Sequence, residues 1–341
     1  MNSTIHHAPY IRHTESSRTI MSDAAIALVP LYFMSYFYYG SRVLLVGGVS
    51  ILTCLICDWI CGYLLQRKLN LRDLSAAVTG IIISMMVPPA VPLYVVVAAD
   101  LFAILVCKAP FGGTGKNLFN PAAGGLAFAT ICWSNQMFLY TQPLQRLPMQ
   151  LDETVTYLQG PTATLKLGGI PRLGLTELLL GNFPGPLGST FTLIILACLI
   201  YLIARRAIKW YLPVSFLIPV AMIAAYNHPF GVSPLESVAN ELFAGSLLFV
   251  AVYMLTDPAT TPKYNISRIL YGVCAGILTM VFRYISPLEM SAVFAILLMN
   301  ALAPALTASV NGCCQKCSLS TTKLLWMKEE INNESDLCPK I

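Results

Sequence analysis

Residues 43–65 read VLLVGGVSILTCLICDWICGYLL. One charged side chain, Asp58, falls within those 23 residues. Wound as a helix, the run is about 35 Å long, enough to cross the roughly 30 Å hydrocarbon core of a bilayer. The rest of the chain is written in the same way. Of its 341 residues, 56% are hydrophobic and 11% charged, where a soluble domain carries roughly 25% charged residues. So few polar groups cannot cover a water-facing surface, and most of the surface is expected to face lipid. The formal charge of +5 is too small to imply nucleic acid, and the basic residues sit in short runs between apolar stretches.

Ten apolar segments follow from this reading. They lie near 23–40, 43–65, 74–88, 92–107, 119–140, 190–205, 211–226, 239–256, 267–285 and 289–308. The expected fold is all-α, a polytopic membrane protein of about ten helices. Several segments are shorter than the ~20 residues a spanning helix needs. Short or Pro-broken spans mark helices that enter partway and line an interior site. With the N-terminus in the cytoplasm, inner segments hold sixteen of the 21 Lys and Arg residues. Outer segments hold five: Arg42, Arg146, Lys166, Arg172 and Arg283. That bias puts both termini in the cytoplasm and the longest connection, about 141–188, on the outer face. The first 22 residues are polar and the first apolar run is long enough to span, so no cleavable signal peptide is expected.

A five-helix repeat supports the count. Pro88-Pro89-Ala90-Val91-Pro92 follows the third segment, and Asp257-Pro258-Ala259-Thr260-Thr261-Pro262 follows the eighth. Asn120-Pro121-Ala122 opens the fifth, and Asn300 with Pro304 interrupts the tenth. Because five is odd, two such units insert with opposite topology, and inverted repeats commonly enclose a central site. The expected organisation is a cytoplasmic segment 1–22, a first repeat 23–140, an outer loop 141–188, a second repeat 189–308 and a cytoplasmic tail 309–341.

Four stretches carry a family resemblance when taken together. They are Ser17-Arg18-Thr19-Ile20-Met21, Gly112-Gly113-Thr114-Gly115-Lys116-Asn117-Leu118-Phe119-Asn120-Pro121-Ala122, Leu180-Gly181-Asn182-Phe183-Pro184-Gly185, and Met254-Leu255-Thr256-Asp257-Pro258-Ala259-Thr260-Thr261-Pro262. With Leu297-Leu298-Met299-Asn300 near the end of the last segment, their order and spacing resemble RnfD, the D subunit of the Rnf electron transport complex. RnfD is related to the B subunit of the sodium-pumping NADH:quinone reductase. The resemblance runs from residue 9 to about 308. It implies a flavin mononucleotide (FMN) joined through its phosphate to a threonine hydroxyl in the large outer loop. The matching residues are Pro161-Thr162-Ala163-Thr164, so Thr164 is the expected acceptor and Thr162 the alternative. Pro161 replaces the family's Ser or Thr, Leu165 replaces a usual Pro, and Ser189 stands where a Glu is usual. The resemblance further implies a second flavin, riboflavin, within the helical bundle.

Other residues carry chemistry of their own. Asp58, Asp100 and Asp257 lie in or at the ends of spans, where a carboxylate faces a cavity or a partner. They are the candidates for a Na⁺ or H⁺ path. The plainer roles are a solvated interface residue for Asp58 and a backbone cap for Asp257. Cys54, Cys57 and Cys61 share one helix face, with small apolar packing as the default. In the tail, Cys313, Cys314, Cys317 and Cys338 have the spacing of a weak zinc or cluster site. No metal is assigned to them by default, and no disulfide framework is implied. No Walker or Rossmann motif is present, so nucleotide chemistry belongs to partners.

The expected function is therefore that of an electron carrier in the bacterial inner membrane, not a catalyst alone. It would be a flavoprotein component of an ion-translocating ferredoxin/NAD oxidoreductase. The resemblance implies the G subunit of that complex, its membrane subunits A and E, and a flavin transferase as partners. A non-redox transporter or channel with inverted repeats is the alternative, and a scaffold protein that has lost its flavin is a third reading.

Overall fold

A computed structural model describes residues 17–65, 74–113, 115–150, 155–166, 169, 171, 173–229, 232–285 and 290–310. Within them the protein is all-α apart from one two-stranded ribbon. The first half holds α1 (Ser17–Tyr39), α2 (Arg42–Leu64), α3 (Ser75–Met86), α4 (Leu93–Phe102) and α5 (Pro121–Cys132). Helix α4 runs on without a break into π turns over Ala103–Lys108. A one-turn helix, α6 (Ser134–Met137), leads to strand β1 (Tyr140–Thr141), which pairs antiparallel with β2 (Tyr157–Leu158). Two short helices, α7 (Pro161–Lys166) and α8 (Leu175–Leu180), complete the long connection. The second half holds α9 (Thr192–Ala204), α10 (Tyr211–Tyr226), α11 (Pro234–Phe243), α12 (Leu247–Met254), α13 (Asn265–Ile285) and α14 (Ser291–Val310).

Four of these helices, α1, α2, α13 and α14, are long and apolar enough to cross a membrane alone. The pair α11–α12 adds a fifth crossing, bent by 66° at its break. Helices α3, α5, α9 and α10 are apolar but only 12 to 16 residues long, about 18–24 Å at 1.5 Å per residue. They are too short to cross unaided and must sit against other helices. The outward faces are apolar: Phe33, Trp59, Ile131, Ile200 and Met222 are all exposed, as lipid-facing side chains are.

Helices α2 and α10 each pack on two later helices. In the first half, α2 packs on α3 and α4; in the second, α10 packs on α11 and α13. Two helix starts at non-equivalent positions use the same cap, and α14 runs unbroken through Asn300 and Pro304. Asn120 Oδ1 accepts from the Ala123 N–H at 3.2 Å ahead of Pro121, and Ser233 Oγ accepts from the Glu236 N–H at 3.2 Å ahead of Pro234. A capping oxygen followed by Pro at the first helical position fixes both starts.

Hydrogen bonds join the halves. The Ala27 carbonyl of α1 accepts from Cys198 Sγ of α9 and from Tyr253 Oη of α12, both at 3.0 Å. Asn120 Nδ2 donates to the Met254 carbonyl at 3.1 Å. At the other end, the Leu187 and Gly188 N–H groups donate to the carbonyls of Val87 and Met85, and Ser35 Oγ donates to the Leu187 carbonyl. The segment after α8 thus enters the bundle and satisfies the open end of α3.

Candidate functional site

Helix α7 carries the expected flavin acceptor. Pro161, which replaces the family's hydroxyl residue, opens the helix, where its missing N–H costs nothing. Pro161, Thr162 and Leu165 turn inward, and Thr164 faces out. Leu165 packs against Leu178, Phe183 and Ala244. Thr162 is 6% exposed, and its methyl lies against Gly245, where a Cβ would come within 2.8 Å of it. Gly245 has φ +92° at the break between α11 and α12, a conformation that glycine supplies without strain. The exposed Thr164 Oγ1 donates to the Pro161 carbonyl at 2.7 Å. Of the two threonines singled out in the sequence, Thr164 therefore offers an accessible hydroxyl and Thr162 is part of the docking surface.

Under that surface lies a buried ion pair. Arg283 Nη1 donates to Glu241 Oε2 at 2.6 Å and to the Glu241 carbonyl at 2.7 Å, and Nη2 donates to the Ala244 carbonyl at 3.2 Å. Arg283 and Glu241 are both nearly inaccessible. The guanidinium closes the open C-terminal carbonyls of α11. Arg283 counted as an outer flanking residue in the charge census; here it is an interior clamp. Arg42 is likewise buried, donating to the carbonyls of Val91 and Met149.

An open cavity lies between the halves, at the end where α1 begins. Met21, Val78 and Val252 give it apolar walls, and Lys108, Asn117 and Asp257 reach it with polar groups. Asn117 Oδ1 is buried with no hydrogen-bond partner. Lys108 is 2% exposed, its ammonium 3.1 Å from Asp58 Oδ1 and 2.8 Å from Ser75 Oγ. Asp257 sits in the turn between α12 and α13, outside both helices. It accepts from the Ala259 N–H at 3.2 Å and from Thr260 Oγ1 at 3.4 Å. Those bonds are the capping role weighed in the sequence. Burial outweighs them and pushes its carboxyl up to about 6.

Asp100 lies elsewhere, inside the first half. It is fully buried on α4, with Oδ1 2.8 Å from Ser50 Oγ and 3.5 Å from Cys54 Sγ of α2. Its Oδ2 has no partner. The three predicted carboxylates thus do not converge on one site. Cys54, Cys57 and Cys61 share a buried face of α2. Among the described residues no group of three or more His, Cys, Asp or Glu could hold a metal ion. Cys313, Cys314, Cys317 and Cys338 lie outside the described residues. Sequence reading passed over Asn117, Lys108 and Glu241. Asn117 lies in the Gly112–Ala122 motif, three residues before the capping Asn120. Glu241, a charge inside an apolar segment, was the signal for its pair.

Known proteins with similar sequences carry consistent names. The D subunit of the proton-translocating ferredoxin:NAD⁺ oxidoreductase complex of Clostridium ljungdahlii is 30% identical over 311 residues, covering 88% of this chain and 92% of that protein. The D subunit of the Na⁺-translocating ferredoxin:NAD⁺ oxidoreductase complex of Acetobacterium woodii is 29% identical, covering 89% and 92%. The D subunit of the ion-translocating oxidoreductase complex of Salmonella enteritidis is 29% identical, covering 87% and 94%. A family model described as NQR2, RnfD, RnfE matches residues 4–312. That match takes in every motif from Ser17 to Asn300 and both halves of the bundle, so the chain belongs to the NQR2, RnfD, RnfE family.

Proposed function

We propose that this protein is the electron-carrying membrane component of an ion-translocating ferredoxin/NAD oxidoreductase complex, bearing FMN on Thr164. The observation that carries the proposal is the pair of opposite environments on α7: an exposed Thr164 hydroxyl and a buried Thr162. A phosphoester needs an oxygen that a transferase can reach, and the Thr164 oxygen qualifies. On modification it gives up its bond to the Pro161 carbonyl, while Leu165 and Thr162 keep the helix anchored. When bound, FMN supplies one-electron redox chemistry. The chain's contribution is to hold the attachment point on a packed helix rather than on a free loop.

The cavity between the halves suits the ring system of a second flavin, riboflavin. Its walls are apolar, and Asn117 Oδ1 offers an unused acceptor for a ring N–H. Asp58, Asp100 and Asp257 are assigned to the ion path. The loop bearing α7 faces outward from the bacterial inner membrane and both termini face the cytoplasm, as the basic residues indicate. The G subunit, the membrane subunits A and E and the flavin transferase are the partners.

The test is a denaturing gel of the full-length chain from cells expressing the transferase, viewed under ultraviolet light. The expected result is a fluorescent band, kept in Thr162→Val and lost in Thr164→Val. A dark wild-type band favours the second reading, a non-redox transporter, which the bent α11–α12 span and the open cavity also suit.

A further inference from the structure

The relatives' names divide between proton and sodium ion, and the surroundings of Asp100 bear on which ion this chain holds there. Ser50 Oγ lies 2.8 Å from Asp100 Oδ1 and also 2.8 Å from the Gly80 carbonyl. A hydroxyl has one hydrogen and can donate it to one of them. If the carboxylate were ionised, one of the two short oxygen pairs would have no hydrogen between its atoms. Both are satisfied when Asp100 Oδ1 carries the proton and donates to Ser50 Oγ, while Ser50 donates to Gly80. The other oxygen points the same way. Oδ2 is fully buried without a partner. Leaving an ionised carboxylate oxygen so placed costs far more than leaving a neutral carbonyl oxygen.

We infer that Asp100 is a proton-binding site of the first half, and that this position does not bind sodium. The inference rests on the reading of Asp100 as part of the ion path. A sodium ion is hard and wants several oxygen lone pairs around it. Here Ser50 and a soft thiol, Cys54, are the polar side chains in contact with the carboxyl. The titratable groups facing Asp100 are Tyr32 from α1 and Cys54 and Cys57 from α2. The nearest cation along its own helix is Lys108, engaged by Asp58 and Ser75. No second carboxylate faces Asp100 among the described residues to complete a sodium cage. Release of the proton leaves a carboxylate to which Ser50 turns its hydrogen, so the hydroxyl serves as the switchable partner of both forms.

Infrared difference spectra of the full-length protein in lipid vesicles test this, wild type minus Asp100→Asn. The expected difference is the C=O stretch of a protonated carboxyl, shifted in D₂O and unchanged when K⁺ is replaced by Na⁺ at fixed pH. Ionised carboxylate bands in its place, or loss of the protonated band on adding Na⁺, overturn the inference. Where Asp100→Asn does not fold, Ser50→Ala reports on the same proton: removing its acceptor moves the C=O band, and an unmoved band overturns the inference. The ion-path reading fails separately. A complex with Asp100→Asn that pumps at the wild-type rate removes Asp100 from the path, whatever the infrared result.

Discussion

Residues two apart on a helix point about 200° from one another, so Thr162 and Thr164 cannot share an environment once α7 is docked. The sequence motif offers both, and the packing of Thr162 against Gly245 decides which stays in water. A second residue-scale consequence concerns Asp257. Its carboxyl moves from the ordinary 3.8 to about 6 on folding because it is buried. Between those values the folded chain binds a proton that the unfolded chain releases. Stability is therefore greatest below pH 4 as far as this group is concerned, and falls as the pH rises through 6. The full loss is about 3 kcal/mol, at ~1.4 kcal/mol for each of the roughly two pH units that separate the folded and unfolded values. Thermal melts of wild type and Asp257→Asn across pH 4 to 7 should converge at the acid end, draw apart between pH 4 and 6 and stay apart above pH 6, with wild type the lower. Parallel curves would show that the carboxyl is not held in this state.

At the scale of elements, the close helix crossing of α10 and α13 has a visible cause. Gly272 and Gly276 of α13 form a Gly-x-x-x-Gly face, and a Cβ on Gly276 would lie 2.5 Å from the Phe216 carbonyl and 2.7 Å from Pro219 of α10. Small residues at this spacing let membrane helices approach closely. Gly276→Val should lower stability by about 1–3 kcal/mol, the usual cost of overpacking. Gly48→Ala in α2, where nothing lies within 4 Å of the added carbon, should be neutral or slightly stabilising. Comparing the two melting temperatures in lipid nanodiscs checks the assignment, and equal temperatures would remove α10–α13 contact as its basis. The positions of the helices were legible in the sequence because long apolar runs leave a bilayer few alternatives. Their ends were less so. Helix α1 is already formed at Ser17, six residues ahead of the apolar run, where polar side chains continue the helix and Asp23 pairs with Arg205 just past α9. The break at Gly245 lies inside an apolar run, and hydropathy does not register a bend.

The cavity belongs to the whole molecule. It brings Met21, Val78, Asn117 and Val252 together from four elements, and no local pattern announces such a meeting. Thr164 is singled out by a motif. Asn117 sat in a motif too, but its significance lies in an oxygen left without a partner by the packing of both halves. If that oxygen receives a flavin ring N–H, Asn117→Leu removes a buried hydrogen bond worth about 1–3 kcal/mol, a roughly 5- to 150-fold loss of affinity. Flavin released from the purified protein by denaturation is the noncovalent pool, and it should fall well below one per chain in the variant. A fluorescent band on a denaturing gel would report the covalent pool proposed for Thr164 and should not change, because α7 and the cavity contact different parts of the bundle. Loss of both pools would mean a folding defect, and Asn117→Asp, which keeps the acceptor and the shape, separates that case by retaining the released flavin. An undiminished released pool in Asn117→Leu would exclude the cavity as the second flavin site.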